Sequence, residues 1–102
     1  MLQLRPNCEC CYKDLPPNAT DAWIFSYECT FCADCVESVL HDVCPNCGGG
    51  FTPRPIRPKS EWRPGVSLAK QPASAQRVHL KWSRDDVGKF AQQVRSIDPA
   101  DR

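Results

Sequence analysis

The sequence predicts a small α+β fold held together by its cysteines rather than by a large apolar core. Three observations predict it. All eight cysteines fall before residue 48 of a chain of 102 residues. Six of them stand in three Cys-x2-Cys pairs, Cys8/Cys11, Cys32/Cys35 and Cys44/Cys47. The segment that carries them is about fifty residues long, too short to be stable by burial alone without disulfides or metal.

Each element can be justified in turn. "LQLRPN" is an extended lead-in with Leu2 and Leu4 on one face, and "DLPPNATDA" is turn-rich, its paired prolines excluding helix. "AWIFSYEC" alternates Trp23, Phe25 and Tyr27 and reads as a short strand. In "ADCVESVLHDV", Val36, Val39, Leu40 and Val43 follow the i, i+3, i+4, i+7 spacing of a short helix with one apolar stripe. "CPNCGGGF" is a tight knuckle whose glycines permit positive φ where amides turn towards sulfur. Further on, "RVHLKW" suits a short strand. "SRDDVGKFAQQVRSI" suits a helix over 83–97, with Ser83 as N-cap, Asp86 at the capping-box position and Pro99 beyond its end. The chain thus divides into a cysteine-bearing module (1–52), a basic proline-rich linker (53–77) and a C-terminal strand/helix extension (78–102).

Metal, not disulfide, is the expected use of the cysteines. The start of the chain lacks the pattern of a secretory signal, and no stretch approaches the ~18 apolar residues of a membrane span. The expected setting is therefore the reducing cytoplasm, where Cys-x2-Cys pairs act as metal ligands. Zn2+ takes four thiolates in a tetrahedron, and a knuckle supplies two of them at the right bite. A knuckle combined with a pair at a helix start gives Cys8, Cys11, Cys32 and Cys35. A thiol at Cys35 opening the helix is expected to have its pKa lowered by the dipole. Cys29, Cys44 and Cys47 are then left one ligand short of a second Zn2+, with Cys10 over. For the fourth ligand, His41, Asp42, Glu28, Cys10 and water stay open. A different pairing of Cys29 and Cys32 with Cys44 and Cys47 has rubredoxin-like spacing and leaves Cys8, Cys10, Cys11 and Cys35 for another site.

"LRPNCECC", "DLPP", "SYECTFCADCVE" and "CPNCGG" followed by "RPIRP" together resemble the small bacterial family DUF1272 over roughly residues 1–75. The order of pairs also resembles the cross-brace of RING-like, treble-clef zinc modules, in which pairs one and three bind one zinc and pairs two and four the other. The family resemblance implies a cysteine where this chain has Phe25, which would complete the set with Cys29, Cys44 and Cys47.

Charge is split along the chain. Residues 1–51 hold two Lys/Arg against seven acids (−5), and residues 52–102 hold eleven against five (+6). No Ser/His/Asp set, phosphate-cradling glycine loop or paired carboxylate appears, and His41 and His79 stand apart from any such group, so an enzyme acting on a small-molecule substrate is not expected. The expected function is a structural zinc module serving as a protein-interaction adaptor, with Arg54, Arg57, Lys59, Trp62 and Arg63 as contact residues. Two alternatives remain: a nucleic-acid-binding regulator using the same basic linker, and a thiol/zinc redox sensor. A helix whose polar face mixes charges argues against a membrane partner. The resemblance to a bacterial family implies a setting that usually has no ubiquitin system for a RING-like ligase to serve.

Overall fold

The computed structural model describes all 102 residues, Met1–Arg102. A three-stranded antiparallel sheet lies at its centre, with β1 (Ala22–Ile24) between β2 (Thr30–Cys32) and β3 (Thr52–Pro53). The register pairs Trp23 with Phe31 on one side and with Pro53 on the other. The predicted strand through Tyr27 stops at Ile24, because the Glu28 amide turns back to the Phe25 carbonyl (3.0 Å) with Glu28 at φ 71°. Alternation therefore fails beyond the strand: Phe25 is buried and Tyr27 is 72% exposed.

Directly after β2 the chain enters helix α1 (Ala33–Cys35), which continues with π geometry over Val36–Leu40. The apolar spacing of this segment is that of an α-helix, and Val36, Leu40 and Val43 are indeed buried. The widening has a local cause. The Ser38 hydroxyl donates to the Asp34 carbonyl four residues back (2.6 Å), and such back-bonding competes with the regular ladder. His41 and Asp42, both at positive φ, end the turn.

Phe31, Phe51, Leu15 and Leu40 form a core continuous with Cys8, Cys32, Cys35 and Cys44. The rings of Phe31 and Phe51 meet edge-on at 5.3 Å, and Phe25 approaches Phe51 at 6.3 Å.

Residues 53–77, expected to be an extended linker, are instead partly folded and anchored: Arg63 bridges Val66, and the Gln71 amide donates to the carbonyl of the buried Ser67 (2.8 Å). The Arg54 guanidinium is buried and donates to the carbonyls of Arg5 and Pro16 (2.9 Å each). Arg57 donates to Gln71 and Leu2, the latter at 2.8 Å. Further along, Arg77 pairs with Asp14 (2.6 Å) and lies over the Tyr12 ring. "RVHLKW" forms no strand; instead the Asn7 side chain takes the place of a neighbouring strand, donating to Val78 O (2.7 Å) and accepting from Val78 N (3.2 Å).

Helix α2 (Arg84–Val94) begins at Ser83, whose hydroxyl accepts from the Asp86 amide (3.1 Å), as the capping signal predicts. It buries Val87 and Ala91 against the π segment, and Phe90 and Val94 lie over Gly48. It ends three residues earlier than the apolar spacing predicts, leaving Ile97 exposed. No helix is long and apolar enough to cross a membrane.

Candidate metal centre

The sequence between Cys8 and Tyr12 makes a tight turn: the Tyr12 amide donates to Cys8 O (2.9 Å), and the Cys11 amide points at Cys8 Sγ (3.5 Å). Two bonds set this knuckle against β2, with Glu9 N donating to Thr30 O (2.9 Å) and Thr30 N to the buried Glu9 carboxylate (2.6 Å). Arg5 neutralises that carboxylate (2.9 Å). Because β2 runs straight into α1, Cys32 becomes the N-cap and Cys35 follows one turn later, so both sulfurs face the knuckle.

The four sulfurs of Cys8, Cys11, Cys32 and Cys35 all lie within 4.8 Å of one another, and Cys11 Sγ is 3.8 Å from Cys32 Sγ. A zinc–sulfur bond of about 2.3 Å requires tetrahedron edges of about 3.8 Å, so this set fits a metal ion and its chemistry suits zinc. The rubredoxin-like alternative is excluded by the same geometry, since Cys32 keeps company with Cys8, Cys11 and Cys35 rather than with Cys44 and Cys47.

Electrostatics show what the centre lacks without a cation. Burial, together with the charges of Cys8 and the neighbouring thiols, drives the Cys35 thiol far up, and burial pushes Cys32 up to about 11. Burial alone would raise Cys11 as well, but hydrogen bonds from the Lys13 backbone and the thiols of Cys8, Cys32 and Cys35 hold it below the ordinary value. The expected lowering of Cys35 by the helix dipole is thus corrected: three residues of α-helix cannot offset burial among other sulfurs. A cation held by Cys8, Cys11, Cys32 and Cys35 would supply that compensation, because a coordinating thiol is deprotonated outright.

The remaining candidates form no comparable set. Cys44 is buried, pushed up to about 12 by burial, and next to Cys47. The Cys29 sulfur accepts from Asn46 Nδ2 (3.4 Å), inside the second knuckle but short of its sulfurs. Cys29 and Cys47 face one groove with Phe25. His41 borders a different groove with Trp23, Glu37 and Arg95, and Asp42 accepts from the Phe51 amide (2.9 Å), so neither turns towards Cys29. Cys10 belongs to the other end, half-buried and packed against the core that contains Cys8, Cys32 and Cys35.

Of the predicted contact residues, Lys59, Trp62 and Arg63 are exposed, Trp62 at 81%. Arg54 is corrected to a structural role because it is buried against carbonyls, and Arg57 spends both terminal nitrogens on backbone oxygens. Sequence reasoning missed Glu9, Asn46 and Tyr12. Glu9 and Asn46 lie inside Cys-x2-Cys pairs, and that position was the only available signal.

The family model described as "Protein of unknown function (DUF1272)" matches residues 1–57. An uncharacterized protein of Rhizobium meliloti (strain 1021) is 56% identical over 78 residues, covering 76% of this chain and 86% of that protein. No solved structure matches the chain. With the matched residues spanning both knuckles and the turn into α1, the chain belongs to the DUF1272 family.

Proposed function

We propose that the chain is a structural zinc module of cross-brace, treble-clef type that works as a protein-interaction adaptor and has no catalytic step of its own. The ligand set supports the architecture, since Cys8/Cys11 and Cys32/Cys35 are alternate cysteine groups in chain order, with Cys29 between them. One observation carries the adaptor reading. A groove of about 580 Å³ runs between the knuckles and the C-terminal segment, floored by Phe25 and Leu80, flanked by exposed Tyr27 and Trp82, and edged by Arg5 and Lys81. Aromatic anchors beside cations are the composition of protein-binding hot spots. Trp82 is pre-set there by its indole N–H on Asn46 Oδ1 (3.0 Å), which lowers the ordering cost of binding.

A photo-crosslinking residue at position 27 tests this. The expected product is one discrete protein adduct that disappears in Trp82→Ala and persists when Lys70, exposed but not lining the groove, is changed to Ala. Diffuse labelling insensitive to Trp82 would sink the adaptor reading.

The nucleic-acid reading is weakened by the same structure. Of eight Lys/Arg in residues 52–84, Arg54, Arg57 and Arg77 are spent on carbonyls or Asp14, leaving five. It keeps a sharp test: affinity for duplex DNA must fall with salt at a log–log slope of about −0.9 per phosphate contacted.

A further inference from the structure

Residues 78–82 form one wall of the groove between the knuckles and the C-terminal segment, and their backbone is occupied on one side only. The Val78 amide and carbonyl both bond to the Asn7 side chain (3.2 and 2.7 Å), and the Leu80 amide donates to Glu9 O (2.8 Å). Exposure alternates with the same period: Val78 and Leu80 are half-buried, while Arg77, His79 and Lys81 are exposed. In an extended segment the polar groups of successive residues point to opposite sides. The amides and carbonyls of Arg77 and His79 therefore point away from Asn7 and Glu9, and none of the four has a partner within the chain. At Lys81 the chain bends, and the bare edge ends.

An edge of unpaired amides and carbonyls is a template for another strand. We propose that the groove takes an extended segment of a partner protein, added as a strand to the Arg77–His79 edge, with apolar and acidic residues in alternation. This rests on the adaptor reading, in which the groove has a protein partner, and adds the partner's backbone form and charge.

The walls fix the alternation. Side chains of an added strand stand on the same two faces as those of its neighbour. On one face, Val78 and Leu80 line the groove with Phe25 and match apolar residues. On the other, Arg77 and His79 both lie against the Tyr12 ring, at 4.2 and 5.7 Å.

The groove also carries charge of one sign. Lys81 has no acidic partner, and Glu9, the one carboxylate of the lining, has a side chain 3% exposed and held by Arg5 and the Thr30 amide. Acidic residues of the added strand complement that charge. A second copy of this chain does not, because antiparallel pairing of the edge with itself sets Arg77 against Lys81.

Nuclear magnetic resonance of the full chain, with zinc supplied, tests the proposal with a short synthetic peptide of alternating glutamate and valine. Its binding is expected to slow hydrogen exchange of the Arg77 and His79 amides by at least about ten-fold. The same peptide with lysine for glutamate is expected not to bind. His79→Pro removes the outward donor without removing any hydrogen bond of that amide. It is expected to weaken binding about ten-fold more than His79→Ala does, and protection in the wild type decides alone if the proline variant fails to fold.

Binding that leaves both amides unprotected, equal binding of the lysine peptide, or equal loss in the two His79 variants overturns the added strand. Protection of the same amides in the free protein at rising concentration also overturns it and makes a second copy the occupant. If the crosslink at position 27 forms and depends on Trp82 while the peptide protects neither amide, the added strand falls and the adaptor reading stands. With neither adduct nor peptide binding, both fall.

Discussion

The two Cys-x2-Cys knuckles are nearly the same turn, yet only one of them gathers a full set of sulfurs. In the first, the Tyr12 amide closes on Cys8 O at 2.9 Å with φ 68°; in the second, Gly48 closes on Cys44 O at 2.7 Å with φ 83°. In each, an amide also approaches sulfur: Cys11 N on Cys8, and Gly49 N on Cys47. What differs lies outside the turns. The first knuckle meets a strand that runs directly into a helix and delivers Cys32 and Cys35. The second meets the Phe25–Cys29 turn, which delivers one cysteine and an aromatic ring. A knuckle is thus a necessary local part of a site, and the surrounding topology decides whether it becomes one.

The largest expected effect breaks the complete side. Cys8→Ser, or a strong chelator, is expected to abolish zinc binding and unfold residues 1–51, because the free energy of a structural zinc site, about 10–16 kcal/mol in small zinc fingers at pH 7, is folding free energy. Loss of the near-UV circular dichroism of Trp23 reports it. Cys47→Ser, by contrast, is expected to leave that signal and the first zinc in place.

The second test completes the incomplete side. Phe25 faces the same groove as Cys29 and Cys47, so Phe25→Cys is expected to raise the zinc content by one ion, counted by native mass spectrometry. Without added metal the same variant is expected to lose stability by about 2–4 kcal/mol in a denaturant titration, since a ring packed on Phe51 is removed.

Proton release follows from the raised thiols. With Cys32 up at about 11 and Cys35 higher still, these thiols are protonated at pH 7 and must ionise to bind. The free protein holds more protons than the bound form, so falling pH favours release of the ion. Calorimetry in buffers of different ionisation enthalpy is expected to show about three to four protons displaced per zinc, with affinity rising as pH rises from 6 to about 8.

The smallest effect distinguishes the two left-handed turn residues. Gly48→Ala places a side chain at positive φ and is expected to cost about 1 kcal/mol. Tyr12→Gly relieves a similar strain but loses the stacking of Arg77 at 4.2 Å, worth about 0.5–1 kcal/mol, so its melting temperature is expected to stay nearly unchanged.

Much of this contrast is legible in the sequence, and the illegible part has one physical cause. Cys-x2-Cys spacing fixes the knuckles, and the Val36/Leu40/Val43 stripe and the Ser83 cap fix the helices, because all of these are contacts between near neighbours. The set Cys8, Cys11, Cys32 and Cys35 could also be reached, since a knuckle plus a helix start is a local pattern repeated twice. The course of residues 53–82 is not legible in the same way, because prolines and charges describe how a segment meets water when nothing else is near. Arg54 meets the carbonyls of Arg5 and Pro16 instead, and Asn7 meets Val78, pairings between positions far apart that no spacing announces. The π geometry of Val36–Leu40 was hidden too, resting on a single serine hydroxyl.

The docking of the last residues has a consequence for the order of assembly. Arg102 donates to Asp42 O (2.7 Å) and Gly48 O (3.0 Å), bridging separations of 60 and 54 residues, and Asn7 holds Val78 across 71. Closing loops of that length costs entropy that a four-residue knuckle does not incur, and non-local contacts form slowly. Refolding is therefore expected in two stages, a fast capture of metal by the cysteine module and a slower closing of the tail over it. During the interval the sulfurs are assembled but uncovered, and the rate of tail closure sets how long the nascent centre stays open to ligand exchange.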